Sequence, residues 1–269
     1  MFSIFKKEKK YREPFRLKKE ARLLPGYLLL LLWIFFTVML LGWVFLASFS
    51  TTREIFANSL LSSGLHFENY EKAWVNSDVS TIFFNSLFYS LSSVFLLILI
   101  CAPAAYALSR FDFACNKLIQ HFFVASMGVP VVMIVLPLFA LVAGLDILNN
   151  VTANKLTLIL LYVGINVPYT TIFLMGFFSN ISRAFEEAAA IDGCAPGRTF
   201  WEIMLPMAQP GIITVSIFNF INVWNEYFIS LIFGNSDKVR SVAVGLYSMI
   251  NSMKYTGDWA GMFSSVIIV

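Results

Sequence analysis

The stretch SNISRAFEEAAAIDGCAPGRTFWEIMLPMAQPG, residues 179–211, is the longest polar interruption in the apolar two-thirds of the chain. It does not read as an idle loop. Ser182 is placed to cap a helix through Arg183, Glu186, Glu187, Ala188, Ala189 and Ala190. Asp192-Gly193 ends that helix, since glycine adopts the left-handed conformation after a helix without a Cβ penalty. Pro196 is suited to open a second turn or helix, which carries Phe200, Trp201, Ile203, Met204 and Leu205. Pro206 and Pro210 close the segment where apolar sequence resumes. A short polar helix, a glycine corner and an apolar-faced helix make a compact knob rather than a tether.

The rest of the chain puts this knob in a membrane protein. Hydrophobic residues make up 58% and charged residues 13%, against roughly 45–50% and 25% in soluble domains. Phe alone occurs 28 times in 269 residues. One soluble core of this size cannot hide that much apolar surface. The expected class is therefore an all-α membrane protein. Cys101, Cys115 and Cys194 lack metal-ligand or disulfide-framework spacing and read as small hydrophobes.

About 20 apolar residues cross the hydrocarbon core, so charge-free windows locate the spans. They fall at 27–49, 83–108, 119–143, 156–178 and 207–233. A sixth starts at Trp259 and stops at Val269, where eleven residues reach only about 16 Å as a helix. A truncated sixth span is favoured over a natural half-span. The domain organisation is a basic segment, 1–26, followed by one transmembrane domain, 27–269, with the polar loop at 179–206. No linker marks a second folded domain, and no internal repeat is visible.

Nine of the 19 Lys and Arg residues precede residue 23. They abut an apolar span, which favours an anchor beside anionic lipid over a nucleic-acid partner. With the amino terminus inside, the segments 1–26, 109–118 and 179–206 hold 13 basic residues and the outside segments hold 6. The positive-inside rule selects that orientation and makes 179–206 cytoplasmic. The outer loop 50–80 is long enough for a small helical or hairpin excursion, and 241–253 is placed at the outer surface. Pro103, Pro130, Pro137 and Pro168 lie inside spans, where each removes a backbone hydrogen bond.

In the fifth span, Asn219, Asn222 and Glu226 follow i, i+3, i+7 spacing and share one helical face, with Asn225 beside them. Such groups are costly against lipid and belong toward protein or water. They suit a polar pathway wall for a hydroxylated solute, or equally interhelical glue. Glu226 near the outer edge is also placed to snorkel into water. Asn85, Ser86 and Asn166 are weaker signals of the same kind. No G-x-x-x-x-G-K-[ST] phosphate loop, Cys/His metal cluster or catalytic Ser/His/Asp set is present. His66 and His121 read as ordinary polar residues. The chain is thus expected not to be an enzyme. If ATP drives it, another chain binds the nucleotide and docks on the cytoplasmic side.

The 179–211 stretch resembles the signature loop of the permease subunits of ABC importers. That pattern is Glu-Ala-Ala, three residues, Gly, nine residues, then Ile-x-Leu-Pro. Here it falls on Glu187, Ala188, Ala189, then Gly193, then Ile203, Leu205 and Pro206, with both intervals matching. AAYALSRFDF (104–113) and WNEY (224–227) are similar to further family segments, so the likeness covers nearly the whole chain. It is strongest to the second permease of carbohydrate importers of the maltose type.

The resemblance implies a multi-pass protein of a prokaryotic inner membrane that moves a sugar or oligosaccharide inward by alternating access. It implies that Glu186, Glu187, Ala188, Ala189, Asp192, Gly193, Ile203, Leu205 and Pro206 form the coupling element for a cytosolic ATPase. It also implies four kinds of partner: two ATPase subunits, a homologous second permease, an extracytoplasmic solute-binding protein and membrane lipid. ATP and magnesium would sit on the ATPase subunits and no cofactor on this chain. The second helix of the loop is expected to run on into the fifth span and carry motion to Asn219, Asn222, Asn225 and Glu226. Alternatives are the same architecture for glycerol phosphate or another polar solute, or a stand-alone ion-coupled carrier.

Overall fold

The computed structural model describes residues 17–75, 78–145, 147–234 and 236–269; most of the basic segment 1–26 lies outside them. Every regular element among the described residues is helical. The helices are α1 (Leu17–Ser48), α2 (Thr52–Phe56), α3 (Glu68–Val75), α4 (Val79–Arg110), α5 (Asn116–Ser126), α6 (Val131–Gly144) and α7 (Val151–Ser179). They continue with α8 (Ala184–Ile191), α9 (Pro196–Met207), α10 (Gln209–Trp224), α11 (Phe228–Phe233), α12 (Val242–Thr256) and α13 (Trp259–Ile268). The protein is an all-α membrane protein. Leu23–Ser48, Val79–Arg110 and Val151–Ser179 are each long and apolar enough to cross a membrane.

The spans expected at 119–143 and 207–233 are bent helix pairs. Between α5 and α6 the chain turns by 95°. Gly128 and Val129 close tight turns onto the carbonyls of Ala125 and Ser126, and Pro130 has no N–H to continue the ladder. Between α9 and α10 the turn is 71°, pivoting on Ala208 between Pro206 and Pro210. The fifth window breaks again after Trp224, where Asn225 caps α10 and the chain restarts as α11 at Phe228. Hydropathy registers composition averaged over a window, and breaks this short do not lower that average enough to show.

The core lies where α4 and α7 pack along one another, with α10 laid against both. Its fully buried side chains include Tyr89, Leu97, Tyr162, Leu174, Phe178, Met204 and Val215. In lipid, close approach of helices matters more than removal of apolar surface from water. Gly211 illustrates this, because a Cβ there would lie 2.5 Å from the Phe177 ring. α1 is the opposite case, with Leu23 to Met39 almost wholly exposed, as suits a helix facing hydrocarbon.

The loop after α1 is the helical excursion expected for 50–80. Thr51 and Glu54 form a capping box at the start of α2. Glu54 also accepts from the backbone N–H of Ser63 and from the hydroxyls of Ser62 and Ser63. Asn69 on α3 donates to the carbonyls of Ser48 and Ser50, and Ser264 on α13 donates to Ser48 as well. The segment 236–242 is tied to α4: Asn85 donates to the carbonyls of Lys238 and Arg240, and Tyr89 donates to that of Val239.

Candidate functional site

The knob forms largely as its residues dictate. α8 ends in a Schellman arrangement: Gly193 has φ +76°, Cys194 N–H donates to Ala189 and Gly193 N–H to Ala190. Ala195 is extended and Pro196 opens α9 at its first position. The start differs from the expectation. α8 begins at Ala184, with Arg183 outside it, and Ser182 Oγ accepts only from Ala184 N–H, at 3.3 Å. Within α9 the ladder widens to a π-turn over Phe200–Met204, both of whose end residues are buried against the core.

α8 has two unlike faces. Ala189 is buried and Glu186 is half-buried. Glu187, Ala188, Asp192 and Gly193 are exposed, and Ile191 is 87% exposed. Small and apolar residues at a protruding helix end leave room for close approach by another surface. Glu186 belongs to the inward face, unlike the exposed Glu187. Its Oε1 accepts from Tyr106 Oη at 2.7 Å, and its Oε2 lies 3.5 Å from Arg110 Nε. Arg110 is only 5% exposed and also donates to the carbonyls of Phe178 and Ile181, both at 2.5 Å. Those carbonyls belong to the last turn of α7 and the chain just beyond it, where helical partners run out. The Tyr106 ring packs on Phe200 and Phe178 at centroid distances of 5.1 and 5.5 Å.

A cleft of about 320 Å³ lies over this junction, lined by Tyr106, Arg110, Arg183, Glu186, Glu187 and Cys194 among others. Tyr106 and Arg110 were not picked out individually from the sequence. Their signal was available: both sit in AAYALSRFDF, four residues apart and hence on one face of α4. Ile203 and Leu205 are half-buried in α9, and Pro206 is exposed at the bend. α9 does not run straight into α10. The expected rigid continuation is replaced by a proline-flanked corner, at which Met204 and Ala208 are fully buried.

The second group of residues lies along α10. Asn219 is 1% exposed and donates to Thr170 Oγ1 on α7 at 2.9 Å. Asn222 donates to Asn166 Oδ1, also on α7, at 2.8 Å. The two amides and their i, i+4 partners form a polar ladder across the α7–α10 contact. Asn225 instead turns back to the Ile221 carbonyl. Glu226 lies beyond the end of α10, so it does not continue the i, i+7 face. Its carboxylate accepts from the N–H groups of Ile229 and Ser230 and caps α11. Glu226 nevertheless lines one recess with Asn222 and Asn166, about 290 Å³ in volume and bordered by Tyr162 and Ile165.

Comparison with known proteins accords with this architecture. Residues 95–269 match the family described as "Binding-protein-dependent transport system inner membrane component". The chain is 32% identical over 244 residues to a diacetylchitobiose uptake system permease protein of Streptomyces coelicolor, covering 90% of this chain and 80% of that one. It is also 32% identical, over 220 residues, to a sulfoquinovosyl glycerol transport system permease protein of Agrobacterium fabrum, covering 81% and 74%. The crystal structure of a bacterial ABC transporter that imports the acidic polysaccharide alginate contains a chain of the same fold. The TM-score is 0.79 at 20% identity, over 96% of this chain and 93% of that one. The protein thus belongs to the inner-membrane components of binding-protein-dependent transport systems, and it is a multi-pass transporter subunit.

Proposed function

We propose that this chain is one of two permease subunits of an ATP-driven importer that moves a sugar or oligosaccharide into the cell by alternating access. Two relatives that match over most of their length are named for uptake of diacetylchitobiose and transport of sulfoquinovosyl glycerol, both sugar-bearing solutes, which supports a sugar over glycerol phosphate. In this reading the amino terminus and α8 face the cytosol, and two ATPase subunits bind ATP and magnesium. A solute-binding protein delivers its cargo from the other side. This chain supplies no catalytic residue and no cofactor site.

One observation carries the coupling role: α8 is pinned from beneath by Glu186 and Ala189 and presents Ala188, Ile191, Asp192 and Gly193 outward. Closure of the ATPase pair would move that protruding end as a rigid body. Asn222, Asn166 and Glu226 would then border the solute path in one of its states.

The test uses the complete importer in proteoliposomes with its binding protein and labelled oligosaccharides. Gly193→Asp adds a Cβ and a negative charge at a left-handed position on the docking face, and Glu187→Lys reverses an exposed charge there. Each is expected to leave the protein in the membrane and lower solute moved per ATP by at least about tenfold. Wild-type uptake in both variants with normal ATPase association would sink the coupling role.

A further inference from the structure

The structure assigns to Arg110, with Tyr106 and Glu186, the positioning of α8 on the ends of α4 and α7, so that motion of α8 reaches both helices without passing through α9. This rests on the coupling role proposed above for the exposed face of α8. The covalent route out of the knob turns by 71° at Ala208, between two prolines, before it reaches α10. A bent corner between Pro206 and Pro210, neither of which has an N–H to give, passes force along the chain less directly than a straight helix, although Ala208 still bonds back to Met204. The side-chain route has no such break. Arg110 leaves the last turn of α4, holds the carbonyls of Phe178 and Ile181, and meets the Glu186 carboxylate at 3.5 Å.

Three features make this a junction that moves as one piece. At 5% exposure the Arg110 guanidinium is costly to part from its acceptors. One terminal nitrogen of its rigid plane reaches two carbonyls while Nε, which makes no hydrogen bond of its own, stands 3.5 Å from the Glu186 carboxylate; a lysine has a single nitrogen for both tasks. Tyr106 grips the other carboxylate oxygen at 2.7 Å, which fixes Glu186 in rotation as well as in distance. A shift of α8 therefore drags both helix ends or breaks a buried charged contact. The first is far cheaper.

The experiment uses the same reconstituted importer and three variants: Arg110→Lys, Glu186→Gln and their combination. Solute moved per ATP is read alongside the amount of assembled complex and its ATPase association. The expected result is assembly within about twofold of wild type and a five- to tenfold fall in solute per ATP for each single variant. The double variant should add little, because both changes disable one contact. Tyr106→Phe, which keeps the ring packing, should show a smaller fall of about twofold. An unchanged ratio in the single variants overturns the assignment. So does a fall in uptake that only tracks loss of assembled complex, and so does full additivity. Gly193→Asp run in parallel separates the two proposals: if it uncouples and the Arg110 and Glu186 variants do not, only the positioning role fails.

Discussion

At the C-terminal end of α4, Arg110 donates to two carbonyls at the close of α7 and faces a carboxylate on α8. At the N-terminal end, Asn85 donates to two carbonyls of the 236–241 segment, both at 3.0 Å, while Tyr89 and Ser86 engage Val239 and Val242. The two ends use one device, a side chain of a long helix satisfying irregular backbone, but with different chemistry. The Asn85 end is held by neutral donors, and the Lys155 ammonium orients the amide by donating to its Oδ1 at 2.6 Å. Neutral hydrogen bonds weaken steeply once distance or angle departs from the optimum. Bonds to a charged group are roughly twice as strong as neutral ones, so the partners of Arg110 are held together when one of them shifts. One end of the bundle is built to hold a single geometry. The other keeps its partners while they move.

The largest effect should come from the fixed end. Asn85→Leu strands the carbonyls of Lys238 and Arg240 and removes the acceptor of Lys155. Two part-buried acceptors that lose their partner cost about 2–3 kcal/mol together. That corresponds to a fall of about 5–10 °C in the apparent melting temperature of the purified subunit. Solute moved per ATP should stay at the wild-type value in the complex that survives. A normal melting temperature combined with a lowered transport ratio would mean that this end is also a moving joint.

How the two ends differ was only partly legible in the sequence. Composition and charge-free windows identify an all-α membrane protein, and turn chemistry at Gly193 and Pro196 places the corner between α8 and α9. Those are local signals. The Tyr106–Glu186 contact joins positions 80 apart, and neither residue announces the other. The breaks at Gly128–Pro130 and after Trp224 also escaped, because a hydropathy window sums residues without direction. Reading Glu226 onto the Asn219 face assumed a helix that the chain leaves at Asn225. The cross-helix partners of the asparagines, Thr170 and Asn166, lie on α7, beyond the reach of any pattern within α10.

Between the two ends lies the amide ladder, where a smaller effect is expected. Asn222→Leu removes the bond to Asn166, worth about 0.6 kcal/mol across membrane helices, and should lower the melting temperature by about 2 °C or less. If Asn222 borders the solute path, the half-saturating solute concentration should rise several-fold while ATPase association stays normal. Asn225→Leu provides the contrast, since Asn225 bonds only within its own helix end. Unaltered solute dependence in Asn222→Leu would leave that residue a tie between α7 and α10, closer in kind to Asn85 than to Arg110.

The smallest effect concerns a carboxylate in a loop rather than at a helix junction. Glu54 is held well below the usual carboxylate range, first by the Thr51 N–H and then by Ser63 and Ser62. A depressed folded-state pKa stabilises the loop at pH above the unfolded value, about 4.3, and that contribution is lost as pH falls below it. The segment 51–63 should therefore keep its hydrogen-exchange protection from pH 7 down to about 4.5 and lose it progressively at lower pH. Glu54→Gln should flatten that dependence and reduce protection at neutral pH, because an amide cannot accept all of these donors in the same way. The Asn85 contacts, made by an amide to carbonyls, should keep their protection over the same range. If 236–241 loosened in step with 51–63, acid would be acting on the whole bundle, and neutral ties would be no firmer than charged ones.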